Sequence, residues 1–163
     1  ADAAALPARA LATGLYELAV LDTPRAVRTL SARDLSALGL SEEEAFALGR
    51  ANTAAALPPL SQVAQPAGQG EVGSVGGSLF EVGRVALHGQ WSALAAAQHG
   101  ELVIAMPTTD LVLYVSDTSP DTIESLRDLA GTVAAQSPNP LAPRELLRWS
   151  ASGWQTVGPS HNR

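Results

Sequence analysis

The sequence predicts an α+β domain in which helices pack on a largely antiparallel sheet. Three observations point there. The runs "ELVIAM" (101–106) and "LVLYVS" (111–116) are apolar at successive positions and are joined by the short segment "PTTD", as central strands of a covered hairpin are. The stretch "SPDTIESLRDLAGTVAAQ" (119–136) carries a complete helix start followed by apolar residues at helical spacing. The other apolar runs are linked by turns suited to hairpins rather than by alternating strand–helix crossovers.

Taken in order, residues 1–14 read as a frayed or helical N-terminal segment. "LYELAVLD" (15–22) and "RAVRTL" (25–30) read as strands joined by Asp22-Thr23-Pro24. "SARDLSALGL" (31–40) is a short helix ending at Gly39. Ser41 then opens a capping box with Glu44, and Glu42 and Glu43 sit where the helix dipole favours acidic groups. That helix runs to about Leu57, where Pro58-Pro59 ends it. In 60–87, with its Gly-rich segment 66–77, "LSQVA", "EVGSV" and "SLFEVGRVAL" predict two or three strands with loose turns. "QWSALAAAQ" (90–98) is a short helix stopped by Gly100. In the 119–136 helix Ser119 suits the N-cap, Pro120 the first helical position and Asp121 the dipole, with Ile123, Leu126, Ala130 and Val133 on one face. "LLRW" and "WQTV" flank "SASG", which places Trp149 opposite Trp154 as a cross-strand pair. The whole is one domain over 15–157, with a tail at 158–163.

A chain of 163 residues buries roughly 70% of its unfolded surface. With 46% apolar and 16% charged residues it is expected to be globular. The net charge of −6 argues against nucleic acid and anionic membranes as partners. All ten basic residues are Arg, which removes Schiff-base chemistry, a Lys phosphate clamp and a Ser-Lys dyad. Without Cys there is no thiol nucleophile, disulfide or thiolate metal site. No stretch matches a membrane span or a signal peptide, and the missing initiator Met suggests a processed or truncated piece.

From Gly68 the chain spells G-x-G-x-x-G-x-V, the pattern of a phosphate-binding loop. A dinucleotide site needs a helix after the glycines and an acidic residue about 20 positions on. Here Ser-Val-Gly-Gly-Ser follows, and no acidic residue lies between Glu81 and Glu101. A kinase-type loop needs a Lys that the chain lacks. The glycines therefore read as turns, and no cofactor is expected. His88, His99 and His161 show no metal-ligand spacing, and no nucleophile elbow frames a serine. The candidate binding residues are Thr108, Thr109 and Asp110 at the tip of the strongest hairpin, with His88 and Arg84 as partners that folding could bring to them.

Three segments carry a family resemblance: "LYELAVLDTPRAVRTLSARDLSALGLSEEEAFALGRAN", "ELVIAMPTTDLVLYVSDTSPDTIESLRDL" and "NPLAPRELLRWSASGWQ". Together they resemble the YtpQ-like family of uncharacterised bacterial proteins, a domain of unknown function. The matching positions are Asp22, Asp34-Leu35, Gly39 to Glu44, Gly49 to Asn52, Ala105 to Asp110, and Pro140 to Trp149. The chain departs at Gly49, where the pattern prefers Ala, and at Thr109, where a basic residue is common. The resemblance covers 16–157, poorly in the Gly-rich middle. It implies a soluble cytoplasmic bacterial protein and brings no activity with it.

The expected function is non-catalytic: a binding or protein-interaction domain contacting an unknown protein or small ligand, with a homodimer as one arrangement. One alternative is a small hydrolase using Asp110 with His88 or Arg84, which requires a bond between those side chains. The other is a structural domain without a ligand.

Overall fold

The computed structural model describes residues 5–99 and 101–158. Gly100, His161 and the tail after Gly158 lie outside the described residues, as do residues 1–4 of the N-terminal segment. The fold is a single α+β domain with helices on an antiparallel sheet.

The N-terminal segment is not helical where it is described. Residues Ala8–Ala12 form strand β1, paired antiparallel with β2 (Leu15–Leu18) around Gly14, whose φ of 77° suits a residue without a Cβ. The run expected as one strand over 15–22 is two: β2 turns at buried Ala19 into β3 (Val20–Thr23), which pairs with β4 (Ala26–Thr29). Two capped helices follow. In α1 (Ala32–Leu38) Ser31 and Asp34 form a capping box and Gly39 closes the helix at φ 70°. In α2 (Glu42–Ala56) Ser41 and Glu44 form the box read from sequence, and the helix ends before Pro58. Among the described residues, Ala19, Leu30, Leu35, Ala45 and Phe46 form the core of this layer. Three arginines add to it: Arg28 grips Asp34 with two bonds of 2.9 Å, Arg50 pairs with Glu17 at 2.6 Å, and Arg9 lies 4.8 Å over the Phe46 ring.

The segment 60–87 holds one strand, not two or three. "LSQVA" contributes a single helical turn, α3 (Leu60–Val63), and "SLFEVGRVAL" winds into a 3-10 helix over Glu81–Ala86. The strand is β5 (Gly73–Gly76). A second 3-10 turn, His88–Trp91, leads into α4 (Ser92–Ala97).

The remaining elements are β6 (Val103–Thr108), β7 (Leu111–Val115), α5 (Pro120–Gln136), β8 (Pro140–Ser150) and β9 (Gly153–Val157). The sheet order is β5-β7-β6-β8-β9 with every pair antiparallel, so the "ELVIAM" strand is central. Alternate residues of β6 serve opposite cores, which explains its unbroken apolar sequence. Ile104 and Met106 join Val112, Tyr114, Leu147, Trp91 and Leu94 on one face. Val103 and Ala105 join Leu113, Val115 and Leu146 under Ile123, Leu126 and Ala130 of α5 on the other. On α5 the last buried position is Ala134, with Val133 half-buried beside it.

Candidate functional site

The hairpin tip is built as a turn. Thr108 is buried and its hydroxyl donates to Asp110 Oδ1 at 2.7 Å. The carbonyl of half-buried Thr109 accepts from the Val82 amide at 3.4 Å, and that of Asp110 from the Gly77 amide at 3.3 Å. The tip is thus tied to β5 and to the first 3-10 helix. Arg84, almost fully buried, donates to Glu81 and, at 2.7 Å, to the Pro58 carbonyl. His88 stacks on Trp149, ring centroids 5.5 Å apart and 8° from parallel, with Trp154 edge-on at 5.5 Å. Among the described residues no hydrogen bond or ion pair joins Asp110 to His88 or Arg84.

Why this stretch is 3-10 rather than strand follows from the three tryptophans. Trp91 Nε1 donates to the Arg84 carbonyl at 2.8 Å, Trp154 Nε1 to the Val85 carbonyl at 2.8 Å, and Trp149 Nε1 to the His88 carbonyl at 3.4 Å. Backbone carbonyls that a sheet would satisfy are met by indoles, from residues 7, 61 and 69 positions away. Trp149 and Trp154 are opposite each other in the β8–β9 register, as the sequence predicts; Trp154 is in the core and half-buried Trp149 packs against it.

The glycine pattern has a local cause as well. Gly68 and Glu71 close a turn, with Gly68 N–H donating to the Glu71 carboxylate, and Gly70 takes φ 73°. Gly73 is required by Tyr114. A Cβ there would lie 2.3 Å from the ring's Cζ, while the phenol donates to the Gln65 carbonyl at 2.7 Å and accepts from the Gln65 amide at 3.2 Å. Burial pushes the Tyr114 phenol above its ordinary value, against the opposing pull of the Gln65 amide.

Space for a ligand lies elsewhere, where three loops meet beyond the C-terminal end of β7. A cleft of about 490 Å³ is bounded by the turn before β5 (Ala67, Gln69), by Ala97 at the end of α4 with Gln98, His99 and Glu101 beyond it, and by the β7–α5 loop (Ser116 to Thr118). That volume is within the range of small-ligand sites, about 300–1,000 Å³. Buried Gln98 ties the walls together: its Oε1 accepts from the Ala67 amide at 3.0 Å, and its Nε2 donates to the carbonyls of Glu101 and Val115 at 2.9 and 3.4 Å. Ser116 Oγ donates to the Gly68 carbonyl at 3.3 Å.

His99 is exposed at the rim with φ 57°, the sole non-Gly residue at positive φ among the described residues. It follows the cap of α4, where Gly is the favoured residue. The charged side chains of the lining are carboxylates. The Ser119 amide, with the Thr122 and Ser119 hydroxyls, holds Asp117 below the usual carboxylate range, so it stays ionised. Glu101 Oε1 accepts from Arg148 at 2.7 Å. Among the described residues no three His, Cys, Asp or Glu are grouped to hold a metal ion.

A second, smaller space of about 190 Å³ lies between α3 and α4 and shares Ala97 with the cleft. Sequence reading found no metal-ligand spacing for His99 and gave it no role. The one available signal was His where the end of α4 favours Gly. No family model, curated protein or solved structure matches the chain. Among the described residues, no helix is long and apolar enough to cross a membrane.

Proposed function

We propose that this is a non-catalytic binding domain whose ligand sits in the groove running from the α3–α4 space into the loop cleft. The observation that carries the reading is His99. An exposed imidazole occupies a left-handed position that Gly fills at lower cost, at the rim of a cleft of ligand size. Among the described residues its side chain makes no hydrogen bond or ion pair, so local structure gives no reason for it. The partners of Asp110, Arg84 and His88 support binding over the hydrolase alternative, since each is engaged by turn, ion pair or aromatic stack. Membership of the YtpQ-like family, and with it a cytoplasmic setting, rests on the sequence resemblance alone.

The test is a thermal-shift screen of metabolites and short peptides against the intact chain and Ala97→Trp, which plugs the junction of the two spaces at an exposed position. A ligand at one hundred times its Kd adds about 2.7 kcal/mol, roughly 5–10 °C here. The reading requires a shift that Ala97→Trp abolishes. A ligand whose shift survives the plug refutes it.

A second reading has its own observation. Of the twelve large apolar side chains exposed among the described residues, eight lie between Leu6 and Leu48, among them Tyr16, Val20, Leu21 and Val27 on the hairpins. Such a surface suits a protein partner or a second copy. A concentration-dependent mass in light scattering, lost on Val20→Ser with Val27→Ser, would favour it.

A further inference from the structure

We propose that the occupant of this groove is an extended peptide segment bearing a large apolar side chain close to an arginine or lysine; this rests on the groove reading above. The two spaces have opposite chemistry and meet at one residue. The α3–α4 space has a floor of Leu60, Ala64 and Leu94, all buried, and a rim of Ser61, Gln65 and Gln90. Among the described residues no charged side chain lines it, and its volume of about 190 Å³ suits one apolar side chain rather than a whole small molecule. The rim carries uncharged hydrogen-bonding groups for a backbone passing over it.

On the far side of Ala97 the chemistry changes. Among the described residues the charged lining of the cleft there is Glu101 and Asp117, on a chain of net charge −6; Arg148 holds Glu101 Oε1 at 2.7 Å, but the buried Glu101 Oε2 has no hydrogen-bond partner among the described residues. A recess lined by charges of one sign concentrates the opposite sign, so an anionic ligand is opposed and a guanidinium or ammonium group is drawn in. Gln69 and His99 add neutral hydrogen-bonding groups at the same rim. An extended chain rises about 3.3 Å per residue, so anchors for two adjoining spaces fall about two or three positions apart. A small cation would use the cleft and leave the apolar slot empty. A purely apolar ligand would do the reverse. A peptide with both anchors uses the whole groove, which is why the shared wall at Ala97 decides between them.

The experiment is selection of a random-peptide phage library on the intact chain, followed by affinity measurements on synthetic copies of the enriched peptides. Binding is compared for the wild type, Ala93→Trp, Gln65→Trp and Glu101→Gln. Ala93 and Gln65 are exposed and line the slot from its two sides, so one plug remains informative if the other fails to fold. The expected result is enrichment of an apolar residue within about three positions of Arg or Lys. Affinity should fall about tenfold with either plug and about fivefold with Glu101→Gln, and it should weaken with added salt. Peptides lost on the plugs but without a basic residue, and indifferent to Glu101→Gln, overturn this inference while leaving the groove reading in place. Peptides indifferent to both plugs overturn the groove reading as well. Absence of any enrichment overturns the peptide proposal.

Discussion

Replacing His99 with Gly separates the stability of the α4 terminus from its use. Two effects oppose each other. A left-handed backbone costs an L-residue roughly 1–2 kcal/mol, and His99 sits at φ 57° without a side-chain hydrogen bond among the described residues. Gly removes that cost but gives up about 0.5–1 kcal/mol through the extra freedom of its unfolded chain. The difference is a gain of about 0.5–1 kcal/mol, or roughly 1–4 °C in Tm for a chain of this length. Urea denaturation followed by far-UV circular dichroism measures it directly. His99→Asn is the control, because Asn tolerates the left-handed region and should stay within about 0.5 kcal/mol of wild type. If His99→Gly raises stability and weakens peptide binding, the imidazole is kept at the expense of the fold. If it lowers stability, the side chain holds the turn, and the main argument for the cleft is lost.

Three further outcomes follow from the packing and the electrostatics. Gly73→Ala drives a methyl into the Tyr114 ring and displaces its phenol from Gln65, so it should cost about 2–4 kcal/mol; Gly73→Ala combined with Tyr114→Ala should recover part of the clash, which a double-mutant cycle in urea reads out. Trp154→Phe strips the Val85 carbonyl of its donor and leaves a gap in the core, at about 2–4 kcal/mol by the same assay, and a loss below about 0.5 kcal/mol would refute the role given to the indoles. On acidification the sign is set by carboxylates whose folded pKa values are depressed: Asp34 by Arg28 first, Asp117 by the Ser119 amide and Glu44 by the Ser41 amide. Their contribution is present above the ordinary values of 3.8 and 4.5 and is lost as pH falls through the lower folded values. The urea midpoint should therefore drop below about pH 4.5, and a midpoint unchanged down to pH 3 would contradict the assignment.

Elements specified by neighbours in the chain were legible in the sequence. The Ser41–Glu44 box, the Ser119-Pro120 start and the Gly39 stop are all local chemistry, and each stands where the residues predict. The β6–β7 hairpin and the Trp149–Trp154 register were legible for the same reason: short turns set strand pairing. Residues 78–91 were not, because their backbone is satisfied from afar. Val85 and His88 keep a helical turn through indoles of β9 and β8, which no local pattern announces. The N-terminal strand β1 was missed because its Ala-rich sequence favours helix, and the pairing with β2 overrides that preference. Of the candidate site, Thr108 and Asp110 were visible as polar residues at a hairpin tip, and the structure bonds them to each other. The cleft was invisible since its walls come from residues near 68, 98 and 117.

The architecture also says why the groove falls at this place. Buried clusters cover both faces of the central sheet and every residue of β6 is buried, so among the described residues the centre of the sheet offers no open face. A groove can persist only where a covering element leaves space, and α4 does so by composition. Its exposed positions facing α3 are Ala93 and Ala97, while Leu94 and Ala95 face the core. Larger apolar residues at 93 and 97 would close the gap, bury more surface and stabilise the fold, since each buried methylene contributes about 0.8 kcal/mol. The chain instead keeps methyl groups beside the slot and His at the turn that ends the helix. Ala93 and Ala97 on the helix and His99 just beyond its cap thus forgo stability on the same side of the molecule. All three adjoin the proposed groove, and the proposed ligand would account for them together.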